Sequence, residues 1–120
     1  MPPDGACPPE QVVAEIRTTF ASRADAVACG SRLIEQRLAA CVQIEGPWTS
    51  IYRWQGVVEN AEEFCCRAKT TPAAVAACEA AIRSLHPYDC PEILVAHACG
   101  SAGYAAWVRE QVAAPPEASG

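Results

Sequence analysis

The sequence lacks what several large classes of protein require. It has no run of about 18 apolar residues, which a membrane-spanning helix needs. Its start, MPPDGACPPE, shows no basic stretch followed by an apolar one, so no secretory signal is predicted. It has one lysine, Lys69, no basic cluster and a net charge of −5, whereas nucleic acids are bound by clustered Lys and Arg. We therefore expect a cytoplasmic protein with neither a membrane nor a nucleic acid as partner.

Catalytic motifs are also missing. The sequence contains no G-x-S-x-G, no H-E-x-x-H and no P-loop. A Cys–His hydrolase would need a thiol beside one of the two histidines, and Cys90 is the near candidate, without a visible group to orient the pair. The prediction is a protein that is not an enzyme.

The chain is rich in cysteine, with eight residues, yet none forms a C-x-x-C pair. The common zinc and redox spacings are therefore absent. Without a secretory signal a disulfide framework is not expected either. Free cysteine packs as a small hydrophobic residue, so we expect most of the eight to be buried.

The length of 120 residues fits one domain. Residues 1–10 and 113–120 are rich in Pro, Gly and Ala, and both are predicted to be disordered tails around a domain at 11–112. Hydrophobic residues make up 51% of the chain but aromatic residues only 7%. Small side chains build a thin core, which predicts support from oligomerisation.

Hydrophobic periodicity predicts seven elements. Alternation from Val12 to Phe20 indicates a strand, Ser22 and Asp25 open a helix in the S-x-x-D pattern, and Pro87 ends a second helix at His86. Strands are predicted at 11–20, 41–54, 57–69 and 91–99, and helices at 22–39, 71–86 and 101–112. We expect a bend or bulge at Gly46-Pro47, a turn at Gln55-Gly56, and a bulge or kink at 60–62.

The element order β-α-β-β-α-β with an extra C-terminal helix predicts an α+β fold of the ferredoxin-like, split βαβ type. Both internal helices would cover one face of the sheet. The other face would carry Glu15, Arg17, Arg67 and Lys69 among apolar groups. Such a mixed face is best buried against further copies of the chain.

Five motifs resemble the CutA family, the divalent-cation tolerance proteins. They are RLAACV at 37–42, SIYRWQG at 50–56, KTT at 69–71, LHPYDCPEI at 85–93 and YAAWV at 104–108. The resemblance covers about residues 11–112 in the right order. It implies a tight homotrimer, in which the long second and third strands reach onto neighbouring subunits, and a link to copper and divalent-metal tolerance. It also implies an architecture similar to that of the PII signalling proteins, which bind effectors in clefts between subunits.

His86 has two readings. It ends a helix, where its ring can bond the last free carbonyls and a positive charge is favoured. Alternatively it is a metal ligand with Glu92 and either Cys90 or Asp89; imidazole, thiolate and carboxylate together suit Cu²⁺ or Zn²⁺. In the pattern that the resemblance implies, a Cys stands where this chain has Thr18, and another ligand where it has Leu85. The helix-end reading is therefore favoured, and any divalent-metal site is predicted to be weak.

A second candidate site lies on the hairpin. With Gln55-Gly56 as a two-residue turn, Trp54 pairs with Val57 and Tyr52 with Glu59, which places Tyr52, Trp54 and Glu59 on one face. Lys69 would join them from the far end of its strand or from a neighbouring subunit, and the resemblance implies that Tyr88 lies near the same cleft. This set suits either a subunit interface, the favoured reading, or a site for a small anionic or zwitterionic molecule.

Three hypotheses of function follow. The first is a CutA-like homotrimer that binds a divalent cation weakly and has a structural or signalling role in metal tolerance. The second is a PII-like sensor that binds a small anion between subunits, although Gln55-Gly56 leaves no room for a long partner-binding loop. The third is an assembly scaffold without ligand. His97, on a strand face with Ile93 and Val95, is read as a core or interface histidine.

Overall fold

The computed structural model describes residues 6–113 as a mixed α+β domain. The elements are β1 (Val12–Phe20), α1 (Arg23–Glu35), β2 (Cys41–Trp54), β3 (Val57–Thr70), α2 (Val75–Leu85), β4 (Ile93–Cys99) and α3 (Ala102–Gln111). Short 3₁₀ turns at Pro9–Gln11 and Pro72–Ala74 precede β1 and α2. The predicted order of elements is confirmed. Of the two predicted tails, residues 1–5 and 114–120 lie outside the described residues.

The four strands form one antiparallel sheet in the order β2-β3-β1-β4. Helices α1 and α2 pack on one face, where Ile16, Phe20, Leu33 and Ile82 are buried together. On the opposite face, α3 packs over one end of the sheet in a smaller apolar cluster with Val13. None of the helices in residues 6–113 is long and apolar enough to cross a membrane.

Local sequence signals fix the helix ends. Ser22, Thr71 and Ser101 each accept a hydrogen bond from the backbone N–H three residues on, which satisfies a donor that has no partner within the helix. Helix α2 ends before His86, whose backbone is extended (φ −81°, ψ 133°), as a residue before proline requires. α1 ends at Glu35, earlier than the predicted residue 39, because the chain turns at Arg37 with φ 57°.

The hairpin of β2 and β3 follows the predicted turn. Gln55 and Gly56 both have positive φ, 49° and 82°, as the favoured two-residue hairpin turn requires. The register shifts between Glu45 and Trp48, which confirms the bulge at Gly46-Pro47. The kink predicted at 60–62 is wrong, because strand pairing there is continuous and β3 absorbs no extra residue.

The outer part of this hairpin projects beyond the sheet. β1 pairs with β3 from Phe64 to Thr70, so residues 48–63, hereafter the arm, pair only with each other. Apolar side chains lie exposed on both sides of the arm, among them Ile51 at 68% and Trp54 at 59%. An isolated two-stranded hairpin is at best marginally stable in water. The subunit alone therefore leaves its arm without a core.

The sheet face opposite α1 and α2 carries the predicted charges. Glu15 lies opposite Lys69, and Arg17 opposite Arg67, in the register of β1 and β3. Arg67 stands 3.2 Å from both the Glu15 and the Glu45 carboxylates. Its Nε faces Glu15 without a well-aligned hydrogen bond, so the pairing is chiefly one of charge. The prediction that these charges share one face is confirmed.

The cysteines differ from the expectation in one respect. Cys29, Cys65, Cys66 and Cys78 are buried, Cys41 is half-buried and Cys90 is exposed. Cys7 and Cys99, however, are joined in a disulfide with Cα atoms 5.6 Å apart. The expectation that disulfides are absent is therefore wrong for this pair. The bond joins Cys7, in the described part of the predicted N-terminal tail, to Cys99 at the end of β4. The two cysteines are 92 residues apart in the sequence and come close together only in the folded chain.

Two buried threonines on neighbouring strands offer a matched test. Thr18 and Thr70 are both 0% exposed. The Thr70 hydroxyl donates to the Leu38 carbonyl at 2.7 Å, whereas the Thr18 hydroxyl finds no hydrogen-bond partner within residues 6–113. Thr18→Val is expected to raise the free energy of unfolding by about 1 kcal/mol, and Thr70→Val to lower it by about 1 kcal/mol. Urea denaturation measures both changes. Equal effects of the same sign would contradict the finding that, among the described residues, the Thr70 hydroxyl has a hydrogen-bond partner and the Thr18 hydroxyl has none.

Candidate functional site

His86 is held in a buried position by two hydrogen bonds. It follows the last residue of α2 and is 9% exposed. Its Nε2 lies 2.8 Å from the Thr19 carbonyl oxygen, and its Nδ1 lies 3.2 Å from the Tyr88 backbone nitrogen. The ring stacks on Phe20 with centroids 4.2 Å apart and planes 14° apart. His86 thus joins the end of α2 to the end of β1.

These partners decide which nitrogen carries the proton. A carbonyl only accepts, so Nε2 donates to Thr19, and a backbone N–H only donates, so Nδ1 accepts from Tyr88. The ring is therefore neutral here and bonds β1 and the following loop. The expectation that it bonds the last carbonyls of its own helix is not met. A metal ion at either nitrogen would have to replace one of these hydrogen bonds.

The other predicted metal ligands lie in the loop between α2 and β4. Cys90 and Glu92 are both exposed. Among residues 6–113, no group of three or more His, Cys, Asp or Glu side chains is placed to hold one metal ion. In this arrangement the donor set fits weak binding at most, because His86 is already bonded twice. The metal site at His86, Cys90 and Glu92 stays a prediction.

The hairpin cluster forms as the turn predicted. Tyr52 pairs with Glu59 and Trp54 with Val57, which puts Tyr52, Trp54 and Glu59 on one face of the arm. Tyr52 is 43% and Trp54 59% exposed. Two aromatic rings and a carboxylate thus stand together in solvent. This arrangement suits contact with another chain or with a ligand.

Lys69 does not join this cluster within one subunit. It pairs with Glu15 on β1 and Cys41 on β2, and its ammonium hydrogen-bonds the Gln43 side chain. Cys41 lies eleven positions before Tyr52, roughly 35 Å along the strand at about 3.3 Å per residue. An amine beside Tyr52 and Trp54 would have to come from a neighbouring subunit.

Tyr88 lies close to residues that the sequence analysis did not single out. Burial, and then the Glu63 carboxylate, raise the pKa of Tyr88, and Tyr52 and Asp25 contribute in the same direction. The carboxylates that contribute to this shift make the electrostatic surroundings of Tyr88 acidic. The alternation of β3 could have identified Glu63, because this residue lies on the same face of the strand as Glu59. Nothing local in the sequence connected Asp25 with Tyr88.

His97 does not lie in the core of the subunit. It pairs with Ala14 of β1, but β4 is an edge strand of the described sheet and the side chain is exposed. The core reading is wrong for the single subunit, because neither α1 nor α2 extends over this edge. The interface reading stays a prediction.

Comparison with known sequences gives a consistent family. The family model described as CutA1 divalent ion tolerance protein matches residues 14–111. The divalent-cation tolerance protein CutA of Thermus thermophilus is 46% identical over 79 residues, which cover 65% of this chain and 77% of that protein. Human Protein CutA is 36% identical over 105 residues, 87% of this chain and 51% of the human protein. The chain thus spans about half the length of the human relative.

Solved structures agree with the sequence matches. The divalent cation tolerance protein of Thermus thermophilus has a TM-score of 0.79 at 38% identity, covering 84% of this chain and 99% of that one. A protein of Archaeoglobus fulgidus, described as a periplasmic divalent cation tolerance protein CutA, has a TM-score of 0.80 at 31% identity, covering 84% and 99%. Since the family model spans almost the whole described domain and these folds superpose on it, this chain belongs to the CutA1 divalent ion tolerance protein family.

Proposed function

We propose that this chain forms a homotrimer of ferredoxin-like subunits that takes part in divalent-metal tolerance, specifically in the response to copper, and binds a divalent cation weakly. The strand order β2-β3-β1-β4 with two helices on one face supports the ferredoxin-like assignment. Family membership supports the role in tolerance. The exposed apolar side chains of the arm are the observation that supports assembly into an oligomer.

The arm exposes apolar surface on both of its sides. Trp54 and Val57 point to one side and Ile51 and Val58 to the other, each 58% exposed or more. One neighbour covering a single side would leave the second side in water. A closed ring of subunits, in which each arm lies between others, covers both. Threefold closure is the form that the resemblance to the family implies.

The mass in solution tests the assembly. We expect light scattering to give a species near three times 12.7 kDa at dilute concentration. Trp54→Lys, which places a charge on the apolar side of the arm, is expected to shift the population to smaller species. Gln55→Lys at the turn next to it is the matched control and should leave the mass unchanged. A wild-type monomer at micromolar concentration would contradict the proposal.

Weak metal binding is proposed for the end of α2. A cation bound through His86 must displace either the Thr19 carbonyl or the Tyr88 N–H, and that exchange opposes binding. We expect calorimetry with Cu²⁺ to show weak saturable binding that is lost in His86→Ala and in His86→Gln. The exposed His97 supplies the matched control, and His97→Ala should bind as the wild type does. If both His86 variants kept the copper affinity of the wild type, the proposed site at His86 would be wrong.

A PII-like sensor is the second candidate, because Tyr52, Trp54 and Glu59 share one exposed face of the arm. The carboxylates that raise the pKa of Tyr88, Glu63 and Asp25, oppose an anionic effector, which places this candidate behind the first. Saturable nucleotide binding unaffected by His86→Ala would favour the sensor. Silence with metals and nucleotides alike would favour a scaffold without ligand. In all three cases we propose a protein that is not an enzyme. Cytoplasmic residence stays a prediction.

A further inference from the structure

The disulfide between Cys7 and Cys99 stands beside a histidine. Cys99 is the last residue of β4, and His97 precedes it by two positions on the same strand. Side chains two positions apart in a strand point to one face, and their Cα atoms are roughly 6.6 Å apart at about 3.3 Å per residue. The Cα atoms of Cys7 and Cys99 are 5.6 Å apart. Two sulfur atoms and an imidazole therefore lie around the end of β4.

These three side chains can be reached from solvent. His97 and Cys99 are exposed, and Cys7 is half-buried. The residue that pairs with His97 on β1 is Ala14, whose methyl group leaves the imidazole room to turn. β4 is also an edge strand of the sheet that residues 6–113 form, so no further strand of this sheet lies along its outer side. A reagent in solution can therefore reach the disulfide and the imidazole without unfolding the domain.

The segment that carries Cys7 is held by more than the disulfide. The Gly100 N–H donates to the Gln11 carbonyl at 2.8 Å, which fixes this segment beside the end of β4. The guanidinium of Arg109, on α3, donates to the Glu10 carbonyl. Neither hydrogen bond depends on the S–S bond. If the disulfide is reduced, the two thiols therefore stay neighbours.

We propose that reduction of this disulfide creates a zinc site formed by Cys7, His97 and Cys99. Two Cys with one His is a three-ligand set that Zn²⁺ takes in proteins, with the fourth position left to water. The side-chain amide of Gln11 lies 3.9 Å from the Cys99 sulfur, next to the space for that water. While the disulfide is intact, no group of three His, Cys, Asp or Glu side chains within residues 6–113 is placed to hold one ion. Reduction supplies the two thiolates that such a group needs.

The two chemical steps balance. A dithiol reductant transfers two electrons and two protons to the S–S bond, which breaks into two thiols, and the dithiol is oxidised to its own disulfide. Zn²⁺ then displaces both thiol protons: two S–H bonds break, two Zn–S bonds and one Zn–N bond form, and two protons leave to water. With two thiolates and a neutral imidazole, the bound zinc carries no net charge. Zinc binding and the disulfide exclude each other, so the redox state decides whether the site exists.

This zinc site is independent of the proposed Cu²⁺ site at His86. It lies at the end of β4, whereas His86 follows α2. The Cu²⁺ titrations are made on oxidised protein, in which the zinc site does not exist. His97→Ala is therefore a valid control for Cu²⁺ binding at His86.

Zinc titration of oxidised and reduced protein tests the site. Full-length wild type is reduced with a phosphine, which is then removed under anaerobic conditions, and Zn²⁺ is titrated against a chromophoric chelator. We expect the reduced protein to bind one zinc ion tightly per chain with release of two protons, and the oxidised protein to lack that equivalent. Reduced Cys7→Ser, Cys99→Ser and His97→Ala should each lose it. Reduced Cys90→Ser and His86→Ala should keep it.

A second measurement does not depend on how the variants fold. X-ray absorption of the wild-type zinc complex is expected to show two sulfur neighbours, two lighter ones and the multiple-scattering signature of one imidazole. Reduced wild type that binds no more zinc than oxidised wild type would overturn the proposal. So would a zinc shell of sulfur alone, an equivalent that survives in Cys7→Ser or His97→Ala, or its loss in Cys90→Ser. Loss of weak Cu²⁺ binding in oxidised His86→Ala tests the proposed function and leaves the zinc site untouched.

Discussion

Replacing Phe20 with alanine is expected to lower the free energy of unfolding by about 3–5 kcal/mol. Phe20 is 1% exposed and fills the space between the sheet and α2, so truncation removes buried apolar surface and leaves a cavity. It also removes the ring on which His86 stacks. Urea denaturation at a fixed protein concentration measures the change, since assembly makes stability depend on concentration.

Phe20→Leu is the control, because it keeps most of the volume and should cost less than about 1.5 kcal/mol. If the alanine variant lost no more than the leucine variant, the packing described around Phe20 would be wrong. The same pair tests His86. Only the alanine variant should loosen its ring and make it more available to a metal ion.

Removing the disulfide is expected to have an effect of similar size. The bond between Cys7 and Cys99 spans a sequence separation of 92. In the chain-entropy model, a loop of that length restricts the unfolded chain by about 4.6 kcal/mol at 25 °C. Cys7→Ser should therefore lower the free energy of unfolding by up to about that amount. Urea denaturation of oxidised protein, at one protein concentration, is again the measurement.

Reductant supplies the internal check. Wild-type protein treated with dithiothreitol should approach the stability of Cys7→Ser, and the variant itself should not respond. Cys90→Ser removes an exposed free thiol and should stay within about 0.5 kcal/mol of the wild type. A wild type that is insensitive to dithiothreitol and as stable as Cys7→Ser would show that the bond is absent in solution.

Family membership does not by itself fix what each residue does in this chain. His86 lies within a family motif, but both of its ring nitrogens already form hydrogen bonds, one with the Thr19 carbonyl and one with the Tyr88 N–H. Any metal bound at His86 would have to replace one of these hydrogen bonds, so weak binding is expected there.

The sequence by itself determined the elements and their order. Alternation gave β1, the caps Ser22 and Thr71 gave the helix starts, and Pro87 gave the end of α2. It also determined the register of the hairpin. A two-residue turn at Gln55-Gly56 leaves one pairing, so Tyr52 had to face Glu59. All of these depend on interactions between residues close together in the chain.

Only the tertiary structure decided the partners of the chemically active side chains. His86 bonds a carbonyl 67 residues away, Cys7 meets Cys99 at a separation of 92, and Cys29 of α1 and Cys66 of β3 belong to one buried cluster. Periodicity says which face a residue occupies, but it does not say which side chain from another element packs against that face. That choice follows from how closely the layers approach, as at Gly30, and it is made only when the whole core closes.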